Sequence, residues 1–177
     1  ESSIELIKKA LPEAKRVGMV YNPGEVNSKI VVDRLKELIP QHGLSLVEAS
    51  APRTVDVGSA ARSLVSKADL IFSTTDNNVI ATYESLTKVS LDSKIPLIAS
   101  DTDSVPRGAI AALGLNYKQL GVQTGHMVAR ILNGEKPGDI SWETSNELAI
   151  HLNKKMADQI GVKLSDELLK SAEKVIE

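Results

Sequence analysis

The sequence contains no cysteine and few aromatic residues, and both absences limit what it can encode. Without cysteine, a disulfide framework, a thiolate metal site and a cysteine nucleophile are all impossible. One Trp, one Phe and three Tyr among 177 residues leave little aromatic surface for packing or stacking. No apolar run approaches the ~18 residues that a membrane-spanning helix needs. The chain must therefore build its core from aliphatic side chains and its chemistry from polar ones.

Charge is nearly balanced, with a formal net charge of -2, so nothing favours nucleic acid or an acidic membrane surface as a partner. The length fits one domain, and the hydrophobic content of 42% is normal for a globular protein. The first residues, ESSIELIKKALPEA, have the pattern of an amphipathic helix rather than of a signal peptide. Because the sequence begins at Glu1 without Met, we expect it to have been trimmed from a longer chain.

Short apolar runs alternate with amphipathic segments through the first two thirds of the sequence. This alternation predicts an α/β fold with a doubly wound parallel sheet. The predicted strands are 17–21, 44–49, 69–73, 95–99 and 109–115. The predicted helices are 3–11, a helix capped by Asn27 or Ser28 and closed by Pro40, 54–67 and 78–92. The commonest simple arrangement is the flavodoxin-like order 2-1-3-4-5, with its switch point between strands one and three.

The last third of the chain does not continue this regular alternation of strands and helices. A helix is predicted over 117–133, where Gly121 and Gly125 could let another backbone approach closely. A strand over 148–152 and a short helix over 154–160 follow. The closing segment, 165–176, is predicted as a helix capped by Ser165 or Asp166.

Polar turns follow the first, third and fourth predicted strands. Because the carboxyl ends of parallel strands meet at one edge of a sheet, we expect turns 22–28, 73–78 and 100–104 to line one crevice. Their hydroxyl, amide and carboxylate groups suit holding a small polar molecule, and they contain no nucleophile–base pair. The residues predicted to contact a ligand are Tyr21, Asn22, Asn27, Ser28, Thr75, Asp76, Asn77, Ser100, Asp101 and Asp103.

The chemistry of these turns favours a zwitterion such as an amino acid. Asp76 is the predicted partner of an ammonium group, through a charge-assisted hydrogen bond. Backbone N–H groups at the helix starts near 27–28 and 77–78 could take a carboxylate. Tyr21 lies where it could flank an apolar part of the ligand, whereas Phe72 is interpreted as a core residue.

Signatures of catalysis are missing, so we predict a non-catalytic protein that needs no cofactor and holds no metal. Gly24 alone makes neither a phosphate-binding loop nor a dinucleotide fingerprint. The three histidines are far apart in sequence and outside the polar turns: His42, His126 and His151. An enzyme with a flavodoxin-like or receiver-like sheet stays an alternative, in which Asp76, Asp101 and Asp103 would bind Mg²⁺. A receiver site, however, needs acidic residues directly after strand one, where this chain has Tyr21-Asn22.

The sequence also resembles the substrate-binding proteins of ABC uptake systems, most closely the branch associated with tryptophan, tyrosine and related aromatic amino acids. The resemblance runs through nearly the whole chain in order. The segments that carry it are YNPGE (21–25) with Asn27-Ser28, TDN (75–77), ASDTDSV (99–105) with RGA (107–109), GLNY (114–117), LG (120–121), QTG (123–125) and ILNGEKP (131–137). One departure is Asn78, where the family pattern leads us to expect a small hydroxyl residue.

The resemblance implies a type I periplasmic-binding-protein fold of two lobes, with 1–177 forming the second lobe. A first lobe and a secretion or lipoprotein signal would precede Glu1, and the protein would be extracytoplasmic, either periplasmic or membrane-anchored. Residues 116–135 would pack against the first lobe, or against a partner chain in a homodimer or exchanged segment, before 146–177 returns.

The implied function is that of the solute-binding component of an ABC uptake transporter. Such a protein binds a small polar ligand between its lobes and works with a membrane permease; this branch favours an amino acid, and an aromatic one in particular. The alternative is the effector-binding domain of a transcription regulator, which shares the general fold.

Overall fold

The computed structural model describes residues 2–145 and 147–177. Its strands are β1 (Arg16–Tyr21), β2 (Ser45–Ser50), β3 (Leu70–Ser73), β4 (Leu97–Ala99), β5 (Ala111–Leu115), β6 (Leu148–Asn153) and β7 (Lys174–Ile176). They form one sheet in the order β2-β1-β3-β4-β5-β6-β7. The first five strands are parallel, β6 runs antiparallel to β5, and β7 runs parallel to β6. The predicted order 2-1-3-4-5 is confirmed, and two more strands extend the sheet. Residues 1 and 146, which bound two predicted segments, lie outside the described residues.

Helices cover both faces of this sheet. The α-helices are α1 (Ser2–Ala10), α2 (Val26–Leu38), α3 (Val57–Leu64), α4 (Asn77–Ala81), α5 (Tyr83–Ser93), α6 (Tyr117–Leu132), α7 (Lys154–Ile160) and α8 (Asp166–Ser171). One hydrophobic cluster packs α1, α2, α7 and α8 on one face, and a second packs α3, α4 and α5 on the other. Strand residues alternate between the two, since Val17 and Met19 of β1 join the first cluster and Val20 joins the second. This is the doubly wound α/β fold that the sequence predicts.

Two predicted helices are divided in the structure. The segment predicted over 78–92 is broken at Thr82, whose φ of -130° and ψ of 36° separate α4 from α5. The Thr82 hydroxyl donates to the carbonyl of Asn78 at 2.9 Å, the kind of local bond by which threonine competes with a helix. The segment predicted over 54–67 begins with a 3-10 turn, Thr54–Asp56, before α3.

The prediction of a closing helix over 165–176 is wrong in its second half. Ser165 caps α8 by accepting the Leu168 N–H at 3.2 Å, as predicted, but α8 ends at Ser171. The Glu173 N–H then donates to the carbonyl of Ile150 at 2.9 Å, and the chain continues as β7. Pairing with β6 supplies hydrogen-bond partners to an otherwise open strand edge, which outweighs the helical pattern. The predicted strand over 148–152 and helix over 154–160 are both confirmed.

Helix α6 stands apart from both hydrophobic clusters. None of its residues, all of which are described, is buried. A Cβ atom added at Gly121 or Gly125 would meet nothing within 4 Å, so neither glycine admits a neighbouring backbone in this chain. The large apolar side chains that α6 and the following loop leave exposed are Tyr117, Val122, Val128, Ile131, Leu132 and Trp142.

Candidate ligand-binding site

The turn after β1 leads directly into α2. The Glu25 N–H donates to the Asn22 carbonyl at 3.1 Å, which closes a β-turn with Pro23 and Gly24 at its centre. Glu25 therefore takes the N-cap position and α2 begins at Val26. The prediction that Asn27 or Ser28 caps this helix is wrong, because the helix starts directly after the β-turn and both residues already lie inside it.

Asp76, in the turn after β3, is fully buried at 0% exposure. Its Oδ1 accepts the Val79 N–H at 3.1 Å and so caps α4. Its Oδ2 accepts the Asn22 N–H at 2.8 Å and the Ser28 hydroxyl at 2.7 Å. Two of these three donors follow β1, Asn22 in the turn itself and Ser28 in the first turn of α2, so the Asp76 carboxylate connects the turn after β3 to this region.

The carboxylate of Glu25, at the end of the turn after β1, in turn binds the region after β3. Its Oε2 accepts the Asn77 backbone N–H at 3.0 Å, and its Oε1 accepts the Asn77 side-chain amide at 3.1 Å. The Asn27 side-chain amide also donates to Oε1, at 2.9 Å. The Asn77 backbone N–H, predicted as one of the groups that take a ligand carboxylate, holds a carboxylate of the protein itself.

The turn after β4 is stabilised within itself and rests on β5. Asp101 accepts the Ser104 backbone N–H at 2.9 Å and the Ser104 hydroxyl at 2.8 Å. A Cβ atom at Gly114 of β5 would lie 2.9 Å from the Thr102 backbone N and 3.0 Å from the Asp101 Cα. Glycine at this position therefore allows the turn to pack against the strand, while Asp103 in the same turn stays exposed.

A cavity of about 260 Å³ lies at this edge of the sheet. The residues that line it are Thr75, Asn77, Ile80, Asp101, Asp103, Arg107 and Tyr117. The structure thus brings the predicted residues Thr75, Asn77, Asp101 and Asp103 into one concave surface. Ile80, Arg107 and Tyr117 were not predicted as contacts, although the last two fall in the segments RGA and GLNY that resemble the family.

Arg107 brings a positive charge to this cavity, but the charge is already paired. Its Nε donates to Glu84 at 2.8 Å, its Nη2 donates to the carbonyl of Ile80 at 2.9 Å, and its guanidinium lies 5.1 Å from the Tyr83 ring centroid. The hydrogen bond with Glu84 raises the pKa of Arg107 and lowers the pKa of Glu84. Burial raises the pKa of Tyr83 to about 12, so its phenol is neutral. The remaining charges on the cavity wall are the carboxylates of Asp101 and Asp103, which favour a cationic group.

The other predicted contacts lie around this cavity rather than in it. The Tyr21 hydroxyl donates to Glu48 at 2.9 Å, and burial, followed by this hydrogen bond, raises the pKa of Tyr21. Ser100 and Thr75 line a neighbouring apolar cavity of about 320 Å³ beside Phe72, which is buried in the core as predicted. Asn22, Asn27, Ser28 and Asp76 form the connected turns described above.

Residues 2–145 and 147–177 contain neither a cluster of metal ligands nor a membrane-spanning helix. No group of three or more His, Asp and Glu side chains among them is placed to hold a metal ion. Among the same residues, no helix has both the length and the apolar character needed to cross a membrane.

The doubly wound fold with a polar cavity at the carboxyl edge of its sheet is that of one lobe of a periplasmic binding protein, as similar solved structures show. A family model described as ABC transporter substrate binding protein matches residues 1–176, and the chain belongs to this family. The family and the relatives named below are binding proteins and not enzymes, which confirms the prediction of a non-catalytic protein. They also support solute binding over the transcription-regulator alternative. Members of the family are typically extracytoplasmic.

Three similar proteins illustrate the relationship. A tyrosine-binding protein of Clostridioides difficile (strain R20291) is 37% identical over 97% of this chain and 53% of its own length. The structure of an ABC domain in complex with L-Trp from Streptococcus pneumoniae is 31% identical, with a TM-score of 0.86 over 98% of this chain and 59% of that one. A ligand-free, open substrate binding protein from Clostridium difficile is 36% identical, with a TM-score of 0.83 over 98% and 58%. The chain spans about half the length of the curated relatives it matches.

Proposed function

We propose that this chain is one lobe of the solute-binding component of an ABC uptake transporter and that it binds an amino acid, in particular an aromatic one. The observation that carries the proposal is the cavity at the carboxyl edge of the sheet, where the carboxylates of Asp101 and Asp103 line the wall and Arg107 forms an ion pair with Glu84. Such a wall attracts the ammonium group of a small zwitterion. The names of the tyrosine-binding relative and of the L-Trp complex support an aromatic side chain.

Asp103 is the proposed main partner of the ligand ammonium group. Its carboxylate is exposed on the cavity wall, and Asp101 stands beside it with lone pairs beyond those that bind Ser104. Thr75 and Asn77 offer hydroxyl and amide groups to the remaining polar atoms of the ligand. The other proposed site residues, which frame this wall, are Tyr21, Asn22, Asn27, Ser28, Asp76 and Ser100.

The first lobe of a longer chain is proposed to close this half-site. The relatives are about twice as long as the matched chain, and residues 116–135 carry a helix with no buried residue. We place the first lobe against this segment, with 146–177 returning to the lobe described here. In such a protein the ligand is trapped between two lobes, and we propose that the whole protein works with a membrane permease outside the cytoplasm, which the family match supports.

In the 177-residue chain alone, the same segment is proposed to bury its apolar face against a second copy, as a homodimer or an exchanged segment. Leu132 and Trp142, at 81% and 84% exposure, belong to a larger set of exposed apolar residues on α6 and the following loop, and a contiguous apolar surface of this kind favours a partner. Both forms of the proposal rest on one feature, an apolar helix face that the lobe does not cover.

A titration followed by amide NMR tests the binding proposal directly. L-tyrosine and L-tryptophan are added to the labelled 177-residue chain at up to millimolar concentration, with glucose as the non-amino-acid control. We expect the signals of Thr75, Asn77 and Asp103 to shift with the amino acids and not with glucose. The absence of any shift at this edge of the sheet would overturn the proposal.

The role of Asp103 is tested with Asp103→Asn and with Asp92→Asn as the matched control. Asp92 lies at the end of α5 and pairs with Lys88, away from the cavity. A charge-assisted hydrogen bond contributes about 1.5–3 kcal/mol, so Asp103→Asn should weaken amino-acid binding at least ~10-fold. Binding of the desamino analogue, 3-(4-hydroxyphenyl)propionate, should change little. Equal affinity for L-tyrosine in both variants would contradict the assignment.

A further inference from the structure

The turns after β1 and β3 are joined by two carboxylates that reach in opposite directions. Asp76, in the turn after β3, accepts hydrogen bonds from the Asn22 N–H and the Ser28 hydroxyl, which both follow β1. Glu25 extends from the first turn and accepts the backbone and side-chain N–H groups of Asn77 in the second. Each region thus contributes one carboxylate, and it also contributes the hydrogen-bond donors that bind the carboxylate of the other region.

We propose that Asp76 and Glu25 form a reciprocal clamp that fixes turns 22–28 and 75–78 in one arrangement. In this proposal Asp76 is a positioning residue for the ligand site and does not touch the ligand. The clamp acts through Thr75 and Asn77, which flank Asp76 in the chain and line the polar cavity.

A carboxylate is required at position 76 because both of its oxygens accept. The donors are the Val79 N–H on Oδ1 and the Asn22 N–H and Ser28 hydroxyl on Oδ2. An amide of the same shape has one acceptor oxygen and one N–H₂ group, so in either orientation it opposes a backbone N–H. Since the site is fully buried, water cannot replace the lost acceptor.

The clamp matters for binding because it sets the positions of the cavity groups before the ligand arrives. A wall that is already ordered loses less conformational freedom on binding, and the gain appears mainly as slower dissociation. This consequence rests on the proposed amino-acid site, whereas the clamp itself does not.

Amide hydrogen exchange tests the clamp without any ligand. Asp76→Asn is compared with Asp33→Asn, a matched change at an exposed carboxylate of α2 that pairs with Lys29. We expect exchange to accelerate about tenfold or more at Asn22 or Val79, whichever backbone N–H the amide opposes, and, where the Asn22 bond is lost, also at Glu25, whose N–H closes the first turn on the Asn22 carbonyl. The change at Glu25 is decisive, because a cap that served only the turn after β3 would leave the turn after β1 unaltered. Faster exchange at Asn22 with unchanged exchange at Glu25 overturns the clamp; where the amide keeps the Asn22 bond, the Glu25→Ala variant decides.

Glu25→Ala supplies the reverse test and does not disturb a buried group. It should accelerate exchange at Asn77 and, through the clamp, at Asn22, whose acceptor Asp76 remains intact. If Asp76→Asn does not fold, this variant alone decides the proposal. Faster exchange confined to Asn77 would show two independent turns.

Ligand binding distinguishes positioning from contact. If Asp76 positions the wall, Asp76→Asn should weaken L-tyrosine and its desamino analogue by the same factor. If Asp76 binds the ammonium group, only L-tyrosine should weaken, and the positioning role is overturned. If wild-type protein binds neither compound, the proposed function fails while the exchange measurements still decide whether the clamp exists.

Discussion

The body of the lobe, which is the rest of the described chain, and the segment 116–145 differ in how far they bury their apolar residues. In the body, helices on both sheet faces bury aliphatic residues such as Leu86 and Ile98 completely. In the segment, a helix of comparable regularity buries none of its residues. The contrast supports the proposal that a surface outside the lobe covers the apolar face of α6, because isolated helices of this length are marginal in water.

The largest expected difference between the two regions is the cost of removing an apolar side chain. Leu86→Ala deletes a fully buried side chain of α5 and should lower the free energy of unfolding by about 2–5 kcal/mol. The matched change Leu132→Ala, at 81% exposure in α6, should alter it by less than about 0.5 kcal/mol. Urea denaturation of both variants, at a protein concentration low enough for the chain to be monomeric, measures the contrast. A similar loss for both would mean that α6 is part of the cooperative lobe.

Two glycines give the next contrast, with effects of opposite sign. Gly114→Ala pushes a methyl group against the backbone of Asp101 and Thr102, and overpacking of this kind costs about 1–3 kcal/mol. Gly121→Ala meets open space and replaces glycine in a helix, which favours that helix by up to about 1 kcal/mol. Denaturation measures the first and helix content by circular dichroism the second.

Gly114→Ala should also displace the Asp101 turn, which forms part of the cavity. We expect weaker amino-acid binding in this variant even at temperatures where it is fully folded. Unaltered stability and binding would show that the turn can move aside without cost.

These contrasts also show where sequence reasoning succeeds. The alternation of aliphatic runs with amphipathic segments is a local property, and it predicts the order β2-β1-β3-β4-β5 because few right-handed arrangements exist. The same logic places the turns after β1, β3 and β4 at one edge. Thr75, Asn77, Asp101 and Asp103 do share a cavity there.

What the sequence did not reveal depends on partners distant along the chain. The segment 174–176 has a helical pattern, but the open edge of β6 makes it a strand. Ser28 has the character of a helix cap, but a buried acceptor 48 positions away takes its hydroxyl. In the sequence, Asp76 and Glu25 are isolated acidic residues. Only the fold shows that the carboxylate of each accepts hydrogen bonds from the turn that contains the other.

A smaller contrast concerns acid stability. In the body, the hydrogen bond from Arg16, together with the N–H groups of Lys15 and Arg16, lowers the pKa of Asp69 from 3.8 to about 2. A carboxyl group with a lowered folded-state pKa contributes stability that is present above pH 4 and is lost as the pH falls toward 2. Because the Arg16 side chain is half exposed, we expect a loss of only about 1 kcal/mol.

Asp69→Asn should flatten that part of the stability curve, as measured by denaturation between pH 5 and 2. Glu135→Gln serves as the comparison in the segment, where the hydrogen bond from Arg130 also lowers the pKa of Glu135, but the pair is partly exposed and no backbone N–H group adds to the effect as it does at Asp69. Its acid profile should match that of the wild-type protein. An Asp69→Asn curve that keeps the wild-type slope would contradict the role given to the Arg16 pair.

The smallest expected effect is a change in tryptophan fluorescence, and it is the most informative about the segment 116–145. The sequence has a single tryptophan, Trp142, which is 84% exposed, so fluorescence reports on the segment alone. If 116–145 buries its apolar face against a second copy, emission should shift to shorter wavelength as protein concentration rises. Light scattering should show dimers over the same range. Leu132→Asp should suppress both changes because it places a charge in the apolar interface, whereas Gln119→Asp controls for the same one-unit charge change at an exposed polar position of α6. A concentration-independent monomer with constant emission would refute self-association of the segment, and it would leave the first lobe of a longer chain as the proposed cover for this face.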